Sequence, residues 1–580
     1  MANFYKDNPD IAEFIDALDL TEVAGLLEED FRFAKEYDFA PENAEDAIDN
    51  YKRALDICGK IAGERIAPTA EETDKTGNIL NGDGTVTYTP GIRLAIELYG
   101  KSGLMGATLP YYLGGLNMPC TVLTALNDIV SRADCSLMNM FGLQGIAETI
   151  NAFASEEIKK EYVPRLATGE LTGAMVLTEP DAGSDLQSVK TIAYQNEQGE
   201  WFVSGVKRFI TNGCGDVLLV LARTEPGTTN GSGLSCLLVE KCPQVQVRRL
   251  EHKLGINGSP TCELVFKDAP AKLIGQRRRG LITYVMALMN GARVGISAQG
   301  TGVGEAAYRA AREYAASRKQ FGVTIDTFPA LRELIANMSV DLQASRILAY
   351  YSSKSVDMEA GLARKFETLK GTDGAAQVRA RMKKYAGFNK MLTPMAKYFA
   401  SEMAMRVSNN AVSVLGGSGY MKDYPVERYF RDARICSIYE GTSQLQIVAA
   451  IAGVEGGLVP DVVADVLEGV ELTDSLKAKA AKIDELVAEL GEAIKIVKEF
   501  PDAKLYHSLQ ARRLVDAGIA AIVAALFVRL AAKNPKRELA LDYWMNVQFP
   551  AVRAGLEIAK GGYTASVTDF DAIAPMPVAE

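Results

Sequence analysis

Strand-like sequence occupies one block of this chain, between residues 171 and 273, and helical sequence occupies both sides of it. Within the block, apolar and β-branched runs alternate with turn clusters such as Glu225-Pro226-Gly227. The runs cover 201–206, 217–222, 234–239, 245–247 and 262–266. This order disfavours a Rossmann sheet, in which helices and strands alternate. It predicts an antiparallel β domain between helical domains, and therefore a mainly α, α+β fold.

Changes in the residue pattern along the chain predict five segments. Apolar residues recur at three- and four-residue steps before the strand block and again from Gly280 onward, as amphipathic helices require. Gly456-Gly457 and Pro460 separate a last helical block rich in Ala, Leu, Glu and Lys. The predicted segments are an N-terminal helical extension (1–46), an N-terminal helical domain (47–170), the β domain (171–275), a C-terminal helical domain (276–455) and an appended helical domain (456–580).

Charge and residue counts exclude several classes of function. The 580 residues carry a net charge of −10, whereas a nucleic-acid-binding protein needs a basic face. The two histidines, His252 and His507, cannot form a His-rich metal site, and we expect no metal. The eight cysteines lack CxxC spacing, which is typical of free thiols in a reducing compartment. Binding of a phosphorylated cofactor stays open, since a loop and a few arginines suffice for it.

The N-terminal sequence and the longest apolar run predict a cytoplasmic protein without a membrane span. The first twenty residues are acidic and lack the basic start and apolar core of a secretory signal. The run at 517–528 is too short to cross a bilayer, and a buried helix is the better interpretation.

The first motif opens the strand block, and the second lies at the end of one of its strands. MVLTEPDAGSD (175–185) contains Pro180 and Gly183, which force a loop whose amides and hydroxyls could hold an anion or a heteroaromatic edge. KRFITNG (207–213) sets an aromatic beside a hydroxyl, a combination suited to stacking and edge hydrogen bonding. An ordinary turn explains the first motif and a hairpin signal explains the second equally well.

Of the next two motifs, one contains adjacent basic residues and the other contains paired glycines. RKQFG (318–322) places Arg318 after a helix, where it could bind phosphate or complement the helix dipole. GGSGY (416–420) would permit close approach of a ligand to the backbone, although a glycine cluster is usually a turn.

The fifth motif, IYEGTSQ (438–444), holds a carboxylate between an aromatic and a glycine. Packed against apolar surface, Glu440 would have a raised pKa and would be an effective base near neutral pH. The alternative is a helix start, with Thr442 or Ser443 as the cap and Glu440 in solvent. The residues alone leave this choice open.

Together and in this order, the five motifs resemble those of the acyl-CoA dehydrogenase family. MVLTEPDAGSD and GGSGYMKDYPVERYFRDAR are similar to its two signatures, and IYEGTSQLQ is similar to the segment with the catalytic glutamate. The resemblance covers roughly 52–453 and implies that the C-terminal helical domain is a four-helix bundle. The extension, an insertion near 359–381 and the appended domain resemble the larger bacterial members, such as the methylmercaptopropionyl-CoA dehydrogenase group.

The resemblance implies FAD-dependent α,β-dehydrogenation of an acyl-CoA to the trans-2-enoyl-CoA. Glu440 would be the base, and electrons would pass to an electron-transfer flavoprotein. A bacterial cytoplasmic oligomer is implied, because Arg318 would reach the FAD of a neighbouring subunit. A homodimer is favoured over a tetramer, because the appended domain could cover the face used for tetramers. An acyl-CoA oxidase and a non-catalytic flavoprotein of the same fold are the alternatives.

Residue roles carried over from the family motifs divide into cofactor and substrate contacts. The implied FAD contacts are Met175, Leu177, Thr178, Ser184, Phe209, Thr211, Arg318, Gln320, Phe321, Gly416, Gly417, Thr442 and Gln444. The implied substrate contacts are Ser184, Asn290, Arg293, Tyr439, Glu440 and Gly441.

Three positions depart from the common family pattern. Phe209 stands where many members have tryptophan, which keeps stacking but loses an N–H donor. Ser413 and Pro329 each replace a common glutamine, which puts one FAD contact in doubt. Some relatives carry the base near Arg293, but residues 290–292 offer no carboxylate, which favours Glu440.

Overall fold

The strands of the central block form one seven-stranded sheet, and helices lie before and after it in the chain. The computed structural model describes residues 2–141 and 144–577. Most of these residues are helical, so the predicted mainly α, α+β class is confirmed.

The N-terminal third is helical and forms an extension and a first domain. Asn43 caps the long helix α3 by accepting a hydrogen bond from the Asp46 N–H, and Tyr51, Leu55 and Cys58 are buried on one face of this helix. The elements are α1 (Pro9–Leu18), α2 (Thr21–Leu27), α3 (Ala44–Ile61), α4 (Ala70–Thr76), β1 (Ile79–Leu80), β2 (Val86–Thr87), α5 (Pro90–Lys101), α6 (Cys120–Ala133), α7 (Met138–Phe141), α8 (Gln144–Phe153) and α9 (Glu156–Ala167).

Each of the five predicted strand runs lies within a strand of the central sheet. The sheet contains β3 (Gly173–Val176), β4 (Ile192–Gln195), β5 (Trp201–Thr211), β6 (Val217–Arg223), β7 (Leu234–Glu240), β8 (Val245–Leu250) and β9 (Thr261–Ile274). The strand order is β3-β6-β4-β5-β9-β7, and β6 also pairs with β7. Strand β8 pairs with β9. Most pairs are antiparallel, but β6 runs parallel to β3 and, at one residue pair, to β4, so the sheet is mixed and not purely antiparallel as expected.

Long helices follow the sheet and carry the remaining motifs. A π-helical turn (Gly280–Val285) leads into α10 (Met286–Ser317). The later elements are β10 (Lys319–Gln320), β11 (Val323–Thr324), α11 (Pro329–Leu369), α12 (Ala375–Leu415), α13 (Val426–Ala433) and α14 (Ser443–Glu455). Helices α10, α11, α12 and α14 pack together, and α11 and α12 each span 41 residues. The insertion noted at 359–381 therefore lengthens two helices of this bundle.

The last helices pack against the bundle and the N-terminal extension. They are α15 (Leu458–Leu467), α16 (Asp474–Glu499), α17 (Ala503–Lys533), α18 (Glu538–Lys560), α19 (Ala565–Thr568) and α20 (Phe570–Ile573). Arg537, just before α18, pairs with Asp10 of α1. Fully buried Arg346 of α11 lies 3.6 Å from Asp10 and 2.8 Å from both Asp128 and Glu305. Charged contacts thus join the extension to both helical domains.

Two helices in the described ranges are long and apolar enough to cross a membrane, or three if the bent pair α14–α15 counts as one span. In Ala503–Lys533, 89% of the apolar window is buried within this chain, and in Gly280–Ser317, 39% is. The run at 517–528 is therefore part of a much longer helix than the sequence predicted, and its side chains fill a protein core. The helix Gly280–Ser317, by contrast, leaves much of its apolar window uncovered by its own chain.

Candidate active site

Glu440 lies in a strained turn immediately before α14. Its φ is 53°, in the left-handed region that side chains with a Cβ rarely adopt, and Gly441 follows with φ 90°. The side chain is partly buried. Strain of this kind persists where the surrounding structure enforces it, which is common at functional sites.

Two buried side chains hold this turn from different helices. The Gln446 Nε2 group donates to the carbonyl oxygens of Glu440 (3.2 Å) and Gly441 (2.9 Å). The Lys397 Nζ group, from α12, donates to the Gly441 carbonyl at 2.7 Å. Thr442 is the N-cap of α14 and accepts a hydrogen bond from the Leu445 N–H. The predicted helix start is therefore correct for Thr442. Glu440 lies two residues before this cap, and its side chain is partly buried instead of lying in solvent.

The electrostatic surroundings of Glu440 suit a base at neutral pH. Burial raises the pKa of the Glu440 carboxyl to about 7, although the charges of Lys397 and Arg293 act to lower it. Burial lowers the pKa of Lys397 to about 8, against the opposing effects of Cys436 and Glu440. The carboxyl is thus close to half-ionised near pH 7, which is the useful range for proton abstraction.

Unpaired hydrogen-bond donors lie at the same place. The buried Nε of Arg293 has no partner among the described residues, while its Nη1 donates to Asn290 Oδ1 at 3.1 Å. The backbone N–H of Glu440 is likewise without an acceptor in the described part of the chain. Donors left unpaired beside a desolvated carboxylate can bind the oxygen atoms of a ligand.

Tyr439 anchors the other side of the turn. Its single hydroxyl proton is shared between Asn139 Oδ1, at 3.0 Å, and Gln299 Oε1, and the Gln299 amide in turn donates to the Cys135 carbonyl at 2.9 Å. The hydroxyl is therefore already engaged within the protein, so the Tyr439 ring, rather than its oxygen, is free for the predicted substrate contact.

The first two motifs lie side by side at one edge of the sheet. The Arg208 N–H donates to the Thr178 carbonyl at 2.9 Å. Buried Asn212, with φ 54°, donates from its amide to the Gly173 carbonyl at 2.9 Å, which ties the end of β5 to the start of β3. These bonds bring Met175, Leu177 and Thr178 together with Phe209 and Thr211, as the motifs predicted for one face of a flat ligand.

A buried ion pair that the sequence did not reveal supports this edge. Lys207 is fully buried, and its Nζ lies 3.0 Å from Glu179 and donates to the carbonyls of Leu177 and Leu221, both at 2.8 Å. Although burial raises the pKa of Glu179, the Lys207 charge and hydrogen bonds from residues 190–191 lower it overall. Glu179 and Lys207 stand inside the two motifs, but their spacing in sequence gives no sign that they pair.

An uncovered aromatic ring lies at the same edge. Phe209 is 54% exposed with φ 61°, and the Arg208 guanidinium lies 4.6 Å from its ring centroid. Ser184 is exposed on the neighbouring loop. An exposed phenyl ring held by a left-handed backbone fits the stacking role predicted for this position.

The remaining two motifs meet at one end of the bundle and face outward. Residues 319–324 form a hairpin with Phe321 and Gly322 at its tip, both at positive φ, and Phe321 is 93% exposed. Tyr314, in the last turn of α10, donates to Ser418 Oγ at 3.3 Å and so joins the hairpin base to the glycine turn. A Cβ on Gly416 or Gly417 would meet nothing within 4 Å. Arg318, Gln320 and Gln444 are also exposed.

Helix α10 connects the sheet edge to the glutamate. Met175 and Leu177 pack with Val285 and Met289 at the start of this helix. Arg293 lies one turn further along this helix, and its positive charge interacts with the charge of Glu440. The structure therefore brings the first, second and fifth motifs to one region, and the third and fourth to the outward end of the bundle.

Comparison with known proteins matches the chain to three family models. They are the N-terminal domain of acyl-CoA dehydrogenase over residues 50–170, the middle domain over 174–269 and the C-terminal domain over 279–453. The chain belongs to the acyl-CoA dehydrogenase family. Members of this family are FAD-dependent oxidoreductases that act on the CH–CH group of acyl-CoA.

Individual relatives are similar to this chain over a larger share of its length. The 3-methylmercaptopropionyl-CoA dehydrogenase of Ruegeria pomeroyi is 31% identical over 77% of this chain and 80% of its own length. An acyl-CoA dehydrogenase from Bacillus anthracis, solved with FAD, has the same fold, with a TM-score of 0.73, 24% identity and coverage of 89% and 87%. A chain of the electron transferring flavoprotein structure from Acidaminococcus fermentans matches with a TM-score of 0.59 and 31% identity, covering 69% of this chain and 96% of that chain.

The chain's own residues fit FAD. Phe209 offers a half-exposed ring to a flat heterocycle, and its neighbour Arg208 is bonded to the backbone of Thr178. Gly416 and Gly417 leave open space where a backbone must approach a ligand closely. The partly buried Glu440 carboxyl and the unpaired Arg293 Nε belong to the same region, since Arg293 lies on α10 one turn after Met289, which packs on this edge.

Proposed function

We propose that this acyl-CoA dehydrogenase converts an acyl-CoA thioester to the trans-2-enoyl-CoA, with Glu440 as the base. The observation that carries the proposal is the Glu440 carboxyl itself, which is desolvated, held in a left-handed turn and has a pKa of about 7. In its ionised form Glu440 accepts the α-proton. The electron pair of that C–H bond forms the new double bond, and a hydride leaves the β-carbon.

Charge that develops on the thioester oxygen needs donors in place before the proton moves. The free Glu440 N–H supports this role, and oxyanion donors contribute about 3 kcal/mol each in other enzymes. We assign Asn290, Arg293, Tyr439 and Gly441 to contacts with the substrate, and Ser184 to the CoA arm or a phosphate. The unpaired Arg293 Nε supports that assignment.

The residues that would hold FAD come from both groups of motifs. Met175, Leu177, Thr178, Phe209 and Thr211 would line its ring, with Ser184 nearby. When bound, FAD supplies the acceptor for the hydride. The remaining contacts, to the phosphates and adenosine, are assigned to Arg318, Gln320, Phe321, Gly416, Gly417, Thr442 and Gln444.

The outward direction of the hairpin supports a homodimer. Phe321 and Arg318 turn away from their own chain, and α10 leaves apolar surface uncovered. A second copy of the chain would cover the hairpin residues and the apolar surface of α10. The hairpin of each subunit would then contact the FAD of the other. We further propose a bacterial cytoplasmic enzyme that passes electrons to an electron-transfer flavoprotein, in keeping with the bacterial relatives and the similar Acidaminococcus fermentans structure.

Anaerobic titration of the purified protein with acyl-CoAs tests the proposal. Bleaching of the flavin absorbance by butyryl-, octanoyl-, palmitoyl- or 3-methylmercaptopropionyl-CoA would support it and would define the acyl group. A protein that purifies without flavin would contradict it. Rapid oxygen uptake with release of hydrogen peroxide would instead identify an acyl-CoA oxidase.

A further inference from the structure

Lys397 is a charged side chain that reaches the Glu440 turn from α12, and it belongs to none of the five motifs. It is fully buried, and the Gly441 carbonyl, at 2.7 Å, is the sole hydrogen-bond partner found for its Nζ among the described residues. An ammonium carries three donors, and burying one with a single neutral acceptor is unfavourable. Some other interaction must therefore favour a lysine at this position.

The charges around Lys397 identify that interaction. The titratable groups that face its Nζ are Cys436, Glu440, Arg293 and Glu402. Ser443 donates to Glu402, so that carboxylate is already engaged. Of the two carboxylates, Glu440 is the one without a hydrogen-bond donor among the residues that the structure describes.

The position of Lys397 is itself fixed by the segment that leads to Glu440. Ser401, one turn later in α12, places its Oγ 2.7 Å from the Lys397 carbonyl oxygen and 2.8 Å from the Cys436 carbonyl oxygen, so that its single proton is shared between these two acceptors. The backbone on both sides of the Glu440 turn is thereby attached to the same stretch of α12. A shift of Lys397 would move the turn and its carboxylate together.

We propose that Lys397 is a positioning residue for the dehydrogenation: its hydrogen bond to Gly441 holds the left-handed turn, and its buried positive charge favours the carboxylate form of Glu440 over the neutral acid. This inference rests on the proposed role of Glu440. It differs from the role of Arg293, which faces the same carboxylate from α10 and has a nitrogen free for substrate.

Three substitutions separate the charge from the hydrogen bond. Lys397→Met removes both, Lys397→Gln keeps an N–H donor without the charge, and Lys397→Arg keeps the charge. The matched control is Lys354→Met, because Lys354 lies on α11 of the same bundle and likewise donates to a backbone carbonyl, that of Leu18. That contact lies in the N-terminal extension and involves no residue of the site.

The measurement is the rate of anaerobic flavin reduction between pH 5.5 and 9.5, with whichever of butyryl-, octanoyl- and palmitoyl-CoA the wild type reduces fastest. Loss of a neighbouring positive charge raises the pKa of a carboxyl by about one unit or more. We therefore expect the pH midpoint to rise by about one unit in Lys397→Met and Lys397→Gln, with a loss of about fivefold at pH 7.

The rate of flavin reduction at the high-pH plateau tests the hydrogen bond separately from the charge. This plateau rate should fall in Lys397→Met, which lacks the hydrogen bond, and stay near the wild-type value in Lys397→Gln. Lys397→Arg and Lys354→Met should keep the wild-type midpoint. Should Lys397→Met fail to fold, Lys397→Gln alone decides the role of the charge. An unchanged midpoint in Lys397→Gln would overturn the inference.

A parallel measurement on Glu440→Gln separates the two claims. If Glu440→Gln reduces flavin as fast as the wild type does, the proposed function fails. If it is inactive while Lys397→Gln keeps the wild-type midpoint, only the inference about Lys397 fails.

Discussion

Lys207 and Glu179 form a buried ion pair, 3.0 Å apart, beneath the edge of the sheet where the flavin ring is proposed to lie. Removing one partner of such a pair leaves the other charge buried and uncompensated, which costs about 3–5 kcal/mol. We expect Glu179→Gln to lower the melting temperature and to release FAD during gel filtration. The control is Glu71→Gln, which breaks an exposed pair with Lys75 and should change neither property. Normal FAD retention in Glu179→Gln would show that the pair does not support the cofactor site.

The ionisation of Glu440 should cost stability as the pH rises. Its pKa in the folded protein, about 7, lies above the ordinary value of 4.5, so the unfolded chain releases the proton more readily. Stability is therefore lost between about pH 4.5 and pH 7, to a total of about 3 kcal/mol. We predict that Glu440→Gln melts at a higher temperature than the wild type at pH 8, with a smaller difference at pH 5. The exposed Glu468→Gln control should show equal shifts at both values.

Both the backbone conformation at position 441 and the atoms around it require a glycine. Its φ is 90°, and a Cβ there would lie 2.6 Å from Gln446 Nε2, which holds the turn. Displacement of a catalytic group by about 1 Å can cost a hundredfold in rate, so we expect a loss of that order in kcat for Gly441→Ala. Gly491→Ala is the control, since a Cβ at this helical position meets nothing within 4 Å. Unchanged kcat in Gly441→Ala would mean that the turn geometry does not matter to the reaction.

Phe321 should contribute to assembly and not to the fold of its own chain. Its side chain is 93% exposed at the hairpin tip. We predict that Phe321→Ala keeps the wild-type far-ultraviolet circular dichroism but shifts sedimentation toward monomer and weakens FAD binding about tenfold, corresponding to 1–2 kcal/mol. Leu539→Ala, which truncates an exposed residue of the appended domain, should change neither. A Phe321→Ala protein that sediments as a dimer with full FAD content would contradict the proposed interface.

The fold was predictable from the sequence because its patterning is local. The five strand runs alternate or remain apolar over several residues, and all five are strands. Strands β3 and β4 were missed because each has four residues, and β3 overlaps a motif whose glycine and proline suggest a turn. The orientation of β3, parallel to β6, depends on a pairing that no local pattern encodes.

The groups that tune the site could not be predicted in the same way. Glu440 was identifiable because the motif around it is contiguous. Lys397 precedes the Gly441 carbonyl that it contacts by 44 residues, in an alanine-rich helix where a lysine is normally a solvated charge. Glu179 and Lys207 are 28 positions apart, and only the fold brings them together. Residues brought together by folding carry no signal in their spacing.

The central claim, that Glu440 is the base of an FAD-dependent acyl-CoA dehydrogenase, is tested most directly by stopped-flow flavin reduction in Glu440→Gln. The protein would be mixed anaerobically with the acyl-CoA that best reduces the wild type, and FAD content and acyl-CoA binding would be measured on the same sample. We predict normal FAD and substrate binding with flavin reduction slowed by at least about a thousandfold, which is within the range that general bases contribute. Reduction of the flavin at close to the wild-type rate would contradict it.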